Sequence, residues 1–167
     1  MKPPRVVAVL EVMWDGRVAS KQMANPNYLA QAPRCFRINP DNHSGGRLYK
    51  LLGHSDLLVT NACPTIVGSA KGRANPDAEW LRENIEELYP FRLLLVCGNV
   101  AQETYDQLGL PGHFTMSYRT IYMPHPAARQ WTTKDIRFAS QIIQKGTADL
   151  HLRFSNERLR AEVLPPF

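Results

Sequence analysis

The stretch NPDAEWLRENIEELYPFRLLLVCGNVAQETYDQLG, residues 75–109, predicts a helix, a buried strand and a second helix in direct succession. Asn75 suits the N-cap of the first helix, because Pro76 then takes the first helical position and the acid Asp77 lies in the first turn. Apolar residues recur from there at helical spacing as far as about Tyr89. The first helix is therefore expected to bury one apolar stripe against a sheet.

The rest of this stretch predicts a strand that leads directly into a helix. Phe91–Cys97 is a continuous apolar run, which is typical of a strand covered on both faces. Gly98 turns the chain into a helix over Val100–Leu108, where Asn99 and Gln102 have the spacing of a capping box. Strands that alternate with helices of this kind form right-handed crossovers and therefore a parallel sheet.

Three more strands are predicted outside these residues, at Arg5–Met13, Asp56–Asn61 and Thr120–Met123. Residues 146–167 alternate only weakly and are expected to form an edge strand or a tail. The fold class that follows is α/β: a three-layer α/β/α domain on a central, mostly parallel four-stranded sheet. Since no linker or repeat interrupts the pattern, residues 1–167 are expected to form a single domain.

The remaining segments are interpreted as connections and short helices. Asp15–His43 contains three prolines and is expected to be a long loop, which in a compact domain is usually functional. Ser44 suits the N-cap of a short helix that runs to Gly53. Thr132 suits the N-cap of a last helix, which runs to about Gln144.

Composition argues against several classes of protein. The chain has 167 residues, and its apolar runs are far shorter than the roughly 20 residues that span a bilayer. Its first residues lack the apolar core of a secretory signal, so a cytoplasmic or nucleoid-associated protein with no membrane partner is expected. The three cysteines are widely spaced and form no CxxC pair, so neither a metal site nor a disulfide framework is expected.

The net charge of +5 leaves the partner open. Most of the basic residues are arginines, which favour planar, bidentate contacts to phosphates and bases. A basic protein of this kind is equally compatible with an enzyme that binds no polyanion. Charge alone is therefore consistent with DNA as a partner without establishing it.

Four polar residues stand where the predicted parallel strands end. The end of the first strand is expected at Glu11–Asp15, Asn61 ends the second, and His125 follows the last. In open parallel sheets, ligands bind beyond the carboxyl ends of the strands. One edge of the sheet is therefore expected to bring two carboxylates, an amide and an imidazole together.

Each of these four residues also has a structural explanation. Glu11 is either a paired or functional carboxylate within an apolar strand, or a surface acid at its end. Asp15 precedes a glycine and so is also a good turn residue. Asn61 is either functional or an Asx cap of the following turn. His125 lies between two prolines and is either positioned by that stiff loop or simply solvated.

Several segments follow one another in an order and spacing that resemble the uracil-DNA glycosylase superfamily. They are SGGRLYKLLG, LLVTNACP, the stretch of residues 75–109 and YMPHPAARQW. The resemblance covers roughly Arg5 to Lys145 and is closest to the branch whose members often contain an iron–sulfur cluster. Its most specific elements are Thr60-Asn61, Gly98-x-x-Ala101 and His125-Pro126.

The resemblance implies a DNA glycosylase, which flips a nucleotide out of the stack and hydrolyses its N-glycosidic bond. Asn61 matches the asparagine whose amide reads the Watson–Crick edge of the base. Phe36 matches the aromatic on which the flipped base stacks, although by themselves Phe36 and Trp14 are better explained as anchors of the loop. His125 matches the histidine that donates to a base oxygen as negative charge builds on the leaving base.

The same resemblance implies contacts around the base. Arg47, Arg129 and Trp131 would lie near single- or double-stranded DNA, as phosphate contacts or as a wedge. An acid on the loop after the first strand would orient a water and stabilise the oxocarbenium-like sugar. Glu11 and Asp15 are the two candidates for that acid.

The chain departs from the family pattern in two places. Val12 occupies the position that often holds the catalytic acid or asparagine. Either Asp15 has taken over, or Glu11 acts, or the water-activating role is missing. Of the cluster cysteines only Cys63 is near its place, so no iron–sulfur cluster and no other cofactor is expected.

Three functions remain open. The first is a DNA glycosylase-like enzyme that hydrolyses the bond between deoxyribose and uracil or a modified base. The second is a non-catalytic protein that binds a flipped base or a nucleotide on the same edge, which Val12 favours. The third is an unrelated nucleotide-processing enzyme, although the chain has no glycine-rich phosphate loop. Asn61 and His125 favour the first, because residues that read a base and stabilise its departure have little use without chemistry.

Overall fold

The centre of the fold is a sheet whose apolar strands are buried on both faces. The structure is a computed structural model that describes residues 6–13, 15–28, 30–38, 41, 43–52, 57–68, 74–109, 118–127, 134, 137, 152–154 and 161–163. Of the predicted helix over residues 132–144, the described positions are 134 and 137, and both are helical. That residues 1–167 form a single domain stays a prediction.

Seven strands make up the central sheet, in the order β3-β4-β1-β6-β7-β8-β9. They are β1 (Val6–Leu10), β3 (Phe36–Arg37), β4 (Leu57–Asn61), β6 (Leu93–Cys97), β7 (Arg119–Met123), β8 (Leu152–Phe154) and β9 (Ala161–Val163). The five inner strands, β4, β1, β6, β7 and β8, are parallel to one another. The two edge strands, β3 and β9, are antiparallel to their neighbours. Two further strands, β2 (Ala30–Gln31) and β5 (Thr65–Ile66), form a separate antiparallel pair.

Four helices complete the described fold and cover both faces of the sheet. They are α1 (Gly16–Ala24), α2 (His43–Leu52), α3 (Ala78–Leu88) and α4 (Asn99–Asp106). Leu48 of α2 packs into a core with one set of strand side chains. Ile85 of α3 and Tyr105 of α4 pack with the alternate set on the other face. Because successive strand residues point to opposite faces, the central strands β1, β6 and β7 each supply both cores.

The predicted three-layer α/β/α architecture and the mostly parallel sheet are confirmed. The sheet has five parallel strands where four were predicted. The additional strand, β8, lies within residues 146–167, where the sequence predicted an edge strand or a tail. With only three residues, β8 shows too little alternation to be distinguished from a tail by pattern alone.

The prediction of a long loop over Asp15–His43 is wrong, because α1 forms directly after Asp15. Asp15 is the N-cap of this helix, and its carboxylate accepts from the backbone N–H of Arg17 at 3.0 Å. Most residues of α1 are good helix formers, but among the side chains described in it only Val18 is buried. A helix with so little apolar periodicity is missed when periodicity is the main criterion.

Three predicted caps are also wrong. Ser44 lies inside α2, which includes His43, and is therefore not its N-cap. The N-cap of α3 is Asp77, whose side chain accepts from the N–H of Trp80 at 3.0 Å, and not Asn75. The N-cap of α4 is Gly98, without a side-chain cap, so Asn99 and Gln102 form no capping box. Both helices begin within two residues of the expected positions, because their apolar stripes fix the packing and the cap adjusts to it.

Among the described residues, no helix combines the length and the apolar character needed to cross a membrane.

Candidate functional site

The carboxyl ends of four neighbouring strands bring one residue each to the same level of the sheet. Leu10 of β1 pairs with Asn61 of β4, and Cys97 of β6 pairs with Met123 of β7. Val9 pairs with the residue before Cys97, so Leu10 and Cys97 are also level. Cys97 and Met123 belong to the core on the α2 face, and Leu10 packs against it. These three side chains therefore form an apolar floor at this edge of the sheet.

Asn61 is the polar member of this row. It follows Val59 by two residues, and Val59 belongs to the same core, so the amide lies on the face covered by α2. The side chain is 1% exposed, and among the described residues neither its Nδ2 nor its Oδ1 has a hydrogen-bond partner. An unsatisfied buried polar group costs about 1–3 kcal/mol, so such a group calls for an explanation. The alternative of an Asx cap finds no hydrogen bond to support it among these residues.

His125 has a hydrogen bond that determines the tautomer of its neutral ring. Its Nδ1 accepts from the backbone N–H of Ala127 at 3.0 Å, so the proton of the neutral ring is on Nε2. Burial lowers the pKa of the imidazole below its ordinary value, which favours that neutral form. The ring is half-buried and hydrogen-bonded, and so does not fit a freely solvated loop histidine. Its Nε2–H is left as a donor of fixed direction.

The lowered pKa of His125 predicts a pH dependence of stability. The unfolded chain takes up a proton near pH 6.5 that the folded chain does not yet bind. The free energy of unfolding is therefore expected to fall as the pH is lowered through 6.5 and towards the folded pKa. Urea unfolding between pH 8 and pH 5 measures it, with His125→Gln as the non-titrating control. Equal slopes for the two proteins would contradict the prediction.

A glycine makes room for His125 at the end of β6. Gly98 has φ +88°, a left-handed conformation that favours glycine. A Cβ added there would lie 3.2 Å from the Cβ of His125. His125 therefore lies against the end of β6, which is two strands from β4 and about 10 Å from it at the usual strand spacing. Asn61 and His125 thus flank the apolar floor from two sides.

Phe36, which the resemblance matches to a base-stacking aromatic, lies beside Asn61. It pairs with Val59 across the antiparallel strands β3 and β4, so both side chains are on the α2 face. Asn61 is then its diagonal neighbour on the next strand. Phe36 is half-buried and packs against the core of that face. This position suits an anchor of the loop and also leaves part of the ring available to a ligand.

Glu11 and Asp15 differ in what surrounds them. The strand ends at Leu10, so Glu11 is an exposed residue of the loop and not a buried strand carboxylate. Its backbone carbonyl accepts from the N–H of Cys63 at 2.9 Å. Burial and, to a lesser extent, the negative charge of Glu11 raise the pKa of the Cys63 thiol to about 11. Glu11 is therefore held beside the loop that follows Asn61.

Asp15 is occupied by a structural task. Its carboxylate caps α1 and pairs with Arg17, with an Nη2 to Oδ2 distance of 2.6 Å. The side-chain hydrogen bond from Arg17, followed by the one from its backbone N–H, lowers the pKa of Asp15 to about 2. So acidic a carboxyl is a weak base. The structure thus supports the turn-type explanation of Asp15, in the form of a helix cap.

The predicted DNA contacts are placed only in part. Nη1 of Arg47 donates to the backbone carbonyl of Pro126 at 2.7 Å. Arg129, Trp131 and Trp14 lie outside the described residues. DNA contact by Arg47, Arg129 and Trp131 therefore stays a prediction.

Two amides, the half-buried Gln102 and the buried Asn84, support the ends of the strands in a way that the sequence analysis did not predict. Nε2 of Gln102 donates to the carbonyl of Met123 at 3.0 Å, just before His125. Nδ2 of Asn84 donates to the hydroxyl of Thr60 at 3.2 Å, just before Asn61. A signal for Asn84 was present, because it stands between apolar residues on the buried stripe of α3.

Metal-ligating residues are not clustered in the part of the chain that the structure describes. There, no three His, Cys, Asp or Glu side chains are grouped so that they could hold an ion. Cys63 and Cys97 are buried and free, and Cys35 is half-buried and free.

Comparison with known proteins gives one result. The family model of the uracil DNA glycosylase superfamily matches residues 16–149, well over half of the chain. The matched region contains Asn61, Gly98 and His125, the residues that surround the apolar floor. No curated protein matches the chain. The chain belongs to the uracil DNA glycosylase superfamily.

Proposed function

We propose that the protein hydrolyses the N-glycosidic bond of uracil or of a modified base that is flipped out of DNA. Membership of the superfamily supports a DNA glycosylase-like function in general. The observation that carries the finer proposal is the buried Asn61 amide, which has neither its donor nor its acceptor satisfied among the described residues. A base edge that offers one acceptor beside one donor would satisfy both atoms at once.

The apolar floor determines how such a base would bind. Leu10, Cys97 and Met123 are apolar and offer no strong hydrogen-bonding group. The polar atoms of a bound base would therefore be satisfied at its rim, by Asn61 on one side and by His125 on another. The span of about two strand spacings between β4 and the end of β6 is of the size of a single base.

His125 suits stabilisation of the leaving base. As the bond between C1′ and the base nitrogen breaks, its electron pair stays on the base, and negative charge develops on the base oxygens. The Nε2–H of neutral His125 donates to one of them, which is stabilisation of the oxyanion type. Water then adds to C1′: its oxygen and one proton become the new sugar hydroxyl, and the other proton neutralises the base.

Glu11 is the better candidate to orient that water. It is exposed directly after β1, whereas Asp15 is committed to Arg17 and to the cap of α1. Val12, at the position where the family often has an acid or asparagine, supplies no hydrogen-bond acceptor from its side chain. A carboxylate near the sugar also stabilises the positive charge of the oxocarbenium-like transition state.

Two matched substitutions separate the two acids. Glu11→Gln is expected to lower kcat by about 100-fold or more, because an amide neither accepts a proton nor stabilises positive charge. Asp15→Asn is expected to leave kcat within a few-fold of the wild type and to lower the melting temperature slightly, because it weakens the cap and the pair with Arg17. Single-turnover kinetics and thermal melting measure both. The opposite pattern would assign the water to Asp15.

The direct test is release of uracil from a labelled single-stranded oligonucleotide, followed by alkali to cleave the abasic sites. The same strand with thymine in place of uracil, and a duplex with uracil opposite guanine, run alongside. Cleavage at the uracil position supports the proposal. If neither these strands nor strands with other modified bases are cleaved, the proposal that the protein hydrolyses an N-glycosidic bond is contradicted.

A non-catalytic protein that binds a flipped base is the second candidate, favoured by Val12 alone. The same samples distinguish it from the enzyme by fluorescence anisotropy. Binding that weakens steeply with salt, together with no cleavage, would support this alternative, because contacts to phosphates release counterions.

A further inference from the structure

We propose that Arg47 positions His125 by acting through the peptide group that joins Pro126 to Ala127. The inference rests on the proposed function, in which His125 donates to the leaving base. Nη1 of Arg47 donates to the Pro126 carbonyl at 2.7 Å, and the N–H of Ala127 donates to Nδ1 of His125 at 3.0 Å. The carbonyl and the N–H belong to the same planar unit.

The planarity of the peptide couples the two hydrogen bonds. Because rotation about its C–N bond costs about 18–20 kcal/mol, the carbonyl oxygen and the N–H of one peptide turn together. Arg47 holds the oxygen and thereby determines where the N–H of Ala127 points. That N–H determines which nitrogen of His125 is bare and which bears the proton. Arg47 therefore selects the tautomer through this peptide group.

The same chain of bonds also makes His125 a better donor. A hydrogen bond from a guanidinium polarises the carbonyl that accepts it, and consecutive hydrogen bonds strengthen one another. The polarised peptide has a more acidic N–H, which draws electron density from Nδ1 of the imidazole. The N–H on the far side of the ring, at Nε2, becomes more acidic in turn, and this is the group that faces a leaving base in the proposed reaction.

The contact joins two distant parts of the chain. Arg47 is on α2 and Pro126 follows β7, 79 residues later, and the contact is partly buried. Gln102 holds the start of the same loop, because its Nε2 donates to the carbonyl of Met123, the last residue of β7. Gly98 leaves room for the Cβ of His125. Arg47 is therefore one of three residues, with Gln102 and Gly98, that determine where His125 lies.

The experiment compares Arg47→Met with Lys50→Met. Methionine keeps much of the apolar stem and removes the guanidinium. Lys50 is an exposed cation on the last turn of the same helix, so its substitution removes the same charge away from the loop. Two measurements are made on each protein: the ¹⁵N spectrum of the His125 ring in the free protein, assigned with His125→Gln, and the kcat and KM for uracil release.

The wild type and Lys50→Met are expected to show one bare and one protonated ring nitrogen for His125. In Arg47→Met the two nitrogen signals are expected to move towards each other, as the second tautomer becomes populated, and kcat to fall by about 10- to 100-fold with KM little changed. Arg47→Lys can still donate a hydrogen bond but lacks the planar fork of the guanidinium. Its ring signals and its kcat are therefore expected to lie between those of the wild type and those of Arg47→Met. If Arg47→Met does not fold, Arg47→Lys supports the same comparison.

Two results would overturn the inference. Ring signals that do not change in the folded Arg47 variants would show that Arg47 does not fix the tautomer. A rise in KM with a shallower salt dependence, at constant kcat and with unchanged ring signals, would identify Arg47 as a phosphate contact instead. If the wild type releases no base, the proposed function fails, but the ring spectrum still decides whether Arg47 positions His125.

Discussion

His125→Ala is expected to lower kcat for base release by about 100-fold or more, because it removes a preorganised donor to the developing negative charge. The donor is effective because its direction is fixed before the substrate binds. The backbone N–H of Ala127 occupies Nδ1, so a neutral ring has its proton on Nε2, and burial lowers the pKa of the ring, which favours that neutral form. The melting temperature is expected to change little, since the ring is only half-buried.

Single-turnover release of uracil measures this effect, and thermal melting checks the fold. His125→Gln is the matched variant, because its amide keeps an N–H donor of similar reach. It is expected to recover part of the rate that alanine loses. A large loss of thermal stability in His125→Ala, or a full rate in that variant, would instead make the histidine structural.

Asn61→Leu is expected to stabilise the protein while it abolishes most of the activity. In the free protein the buried amide has two unsatisfied atoms among the described residues, and an apolar side chain of similar shape removes that penalty. The free energy of unfolding is expected to rise by about 1 kcal/mol or more. The kcat/KM for uracil is expected to fall at least 100-fold, because the polar edge of the base would then be buried without partners.

Asn84→Leu is the control for this prediction. Asn84 is also about 1% exposed, but its Nδ2 donates to Thr60 and its Oδ1 accepts from Arg34. The same substitution there breaks two hydrogen bonds and is expected to cost about 1–3 kcal/mol. Urea unfolding of both variants gives the comparison. Destabilisation of Asn61→Leu comparable to that of Asn84→Leu would mean that Asn61 has a structural role.

The sequence was sufficient to locate those residues of the candidate site that stand at the ends of strands. Apolar runs located the parallel strands, and their carboxyl ends led to Asn61 and His125, which the structure places on two sides of one apolar floor. Strand pattern could not decide whether Glu11 or Asp15 would orient the water in the proposed reaction. Glu11 and Asp15 differ through the cap of α1, and that helix has too few buried apolar residues to be visible as a pattern.

Contacts between distant segments were also beyond the sequence. The hydrogen bond from Arg47 to the Pro126 carbonyl joins residues 79 positions apart and involves a backbone atom, which has no signature in side-chain pattern. Gln102 likewise bonds to a strand carbonyl, although its spacing from Asn99 suggested a capping box. Local patterns predict elements, whereas the support of a site comes from tertiary contacts between them.

Gly98 makes this site intolerant of mutational drift. Any other residue there would have to adopt a φ of +88° and place its Cβ 3.2 Å from that of His125. A substitution of Gly98 thus has two costs, since the backbone conformation is strained for any residue with a side chain and His125 must shift to make room for the new Cβ. Gly98, which has no side chain to take part in chemistry, is consequently as necessary to the position of His125 as the hydrogen bonds around that residue.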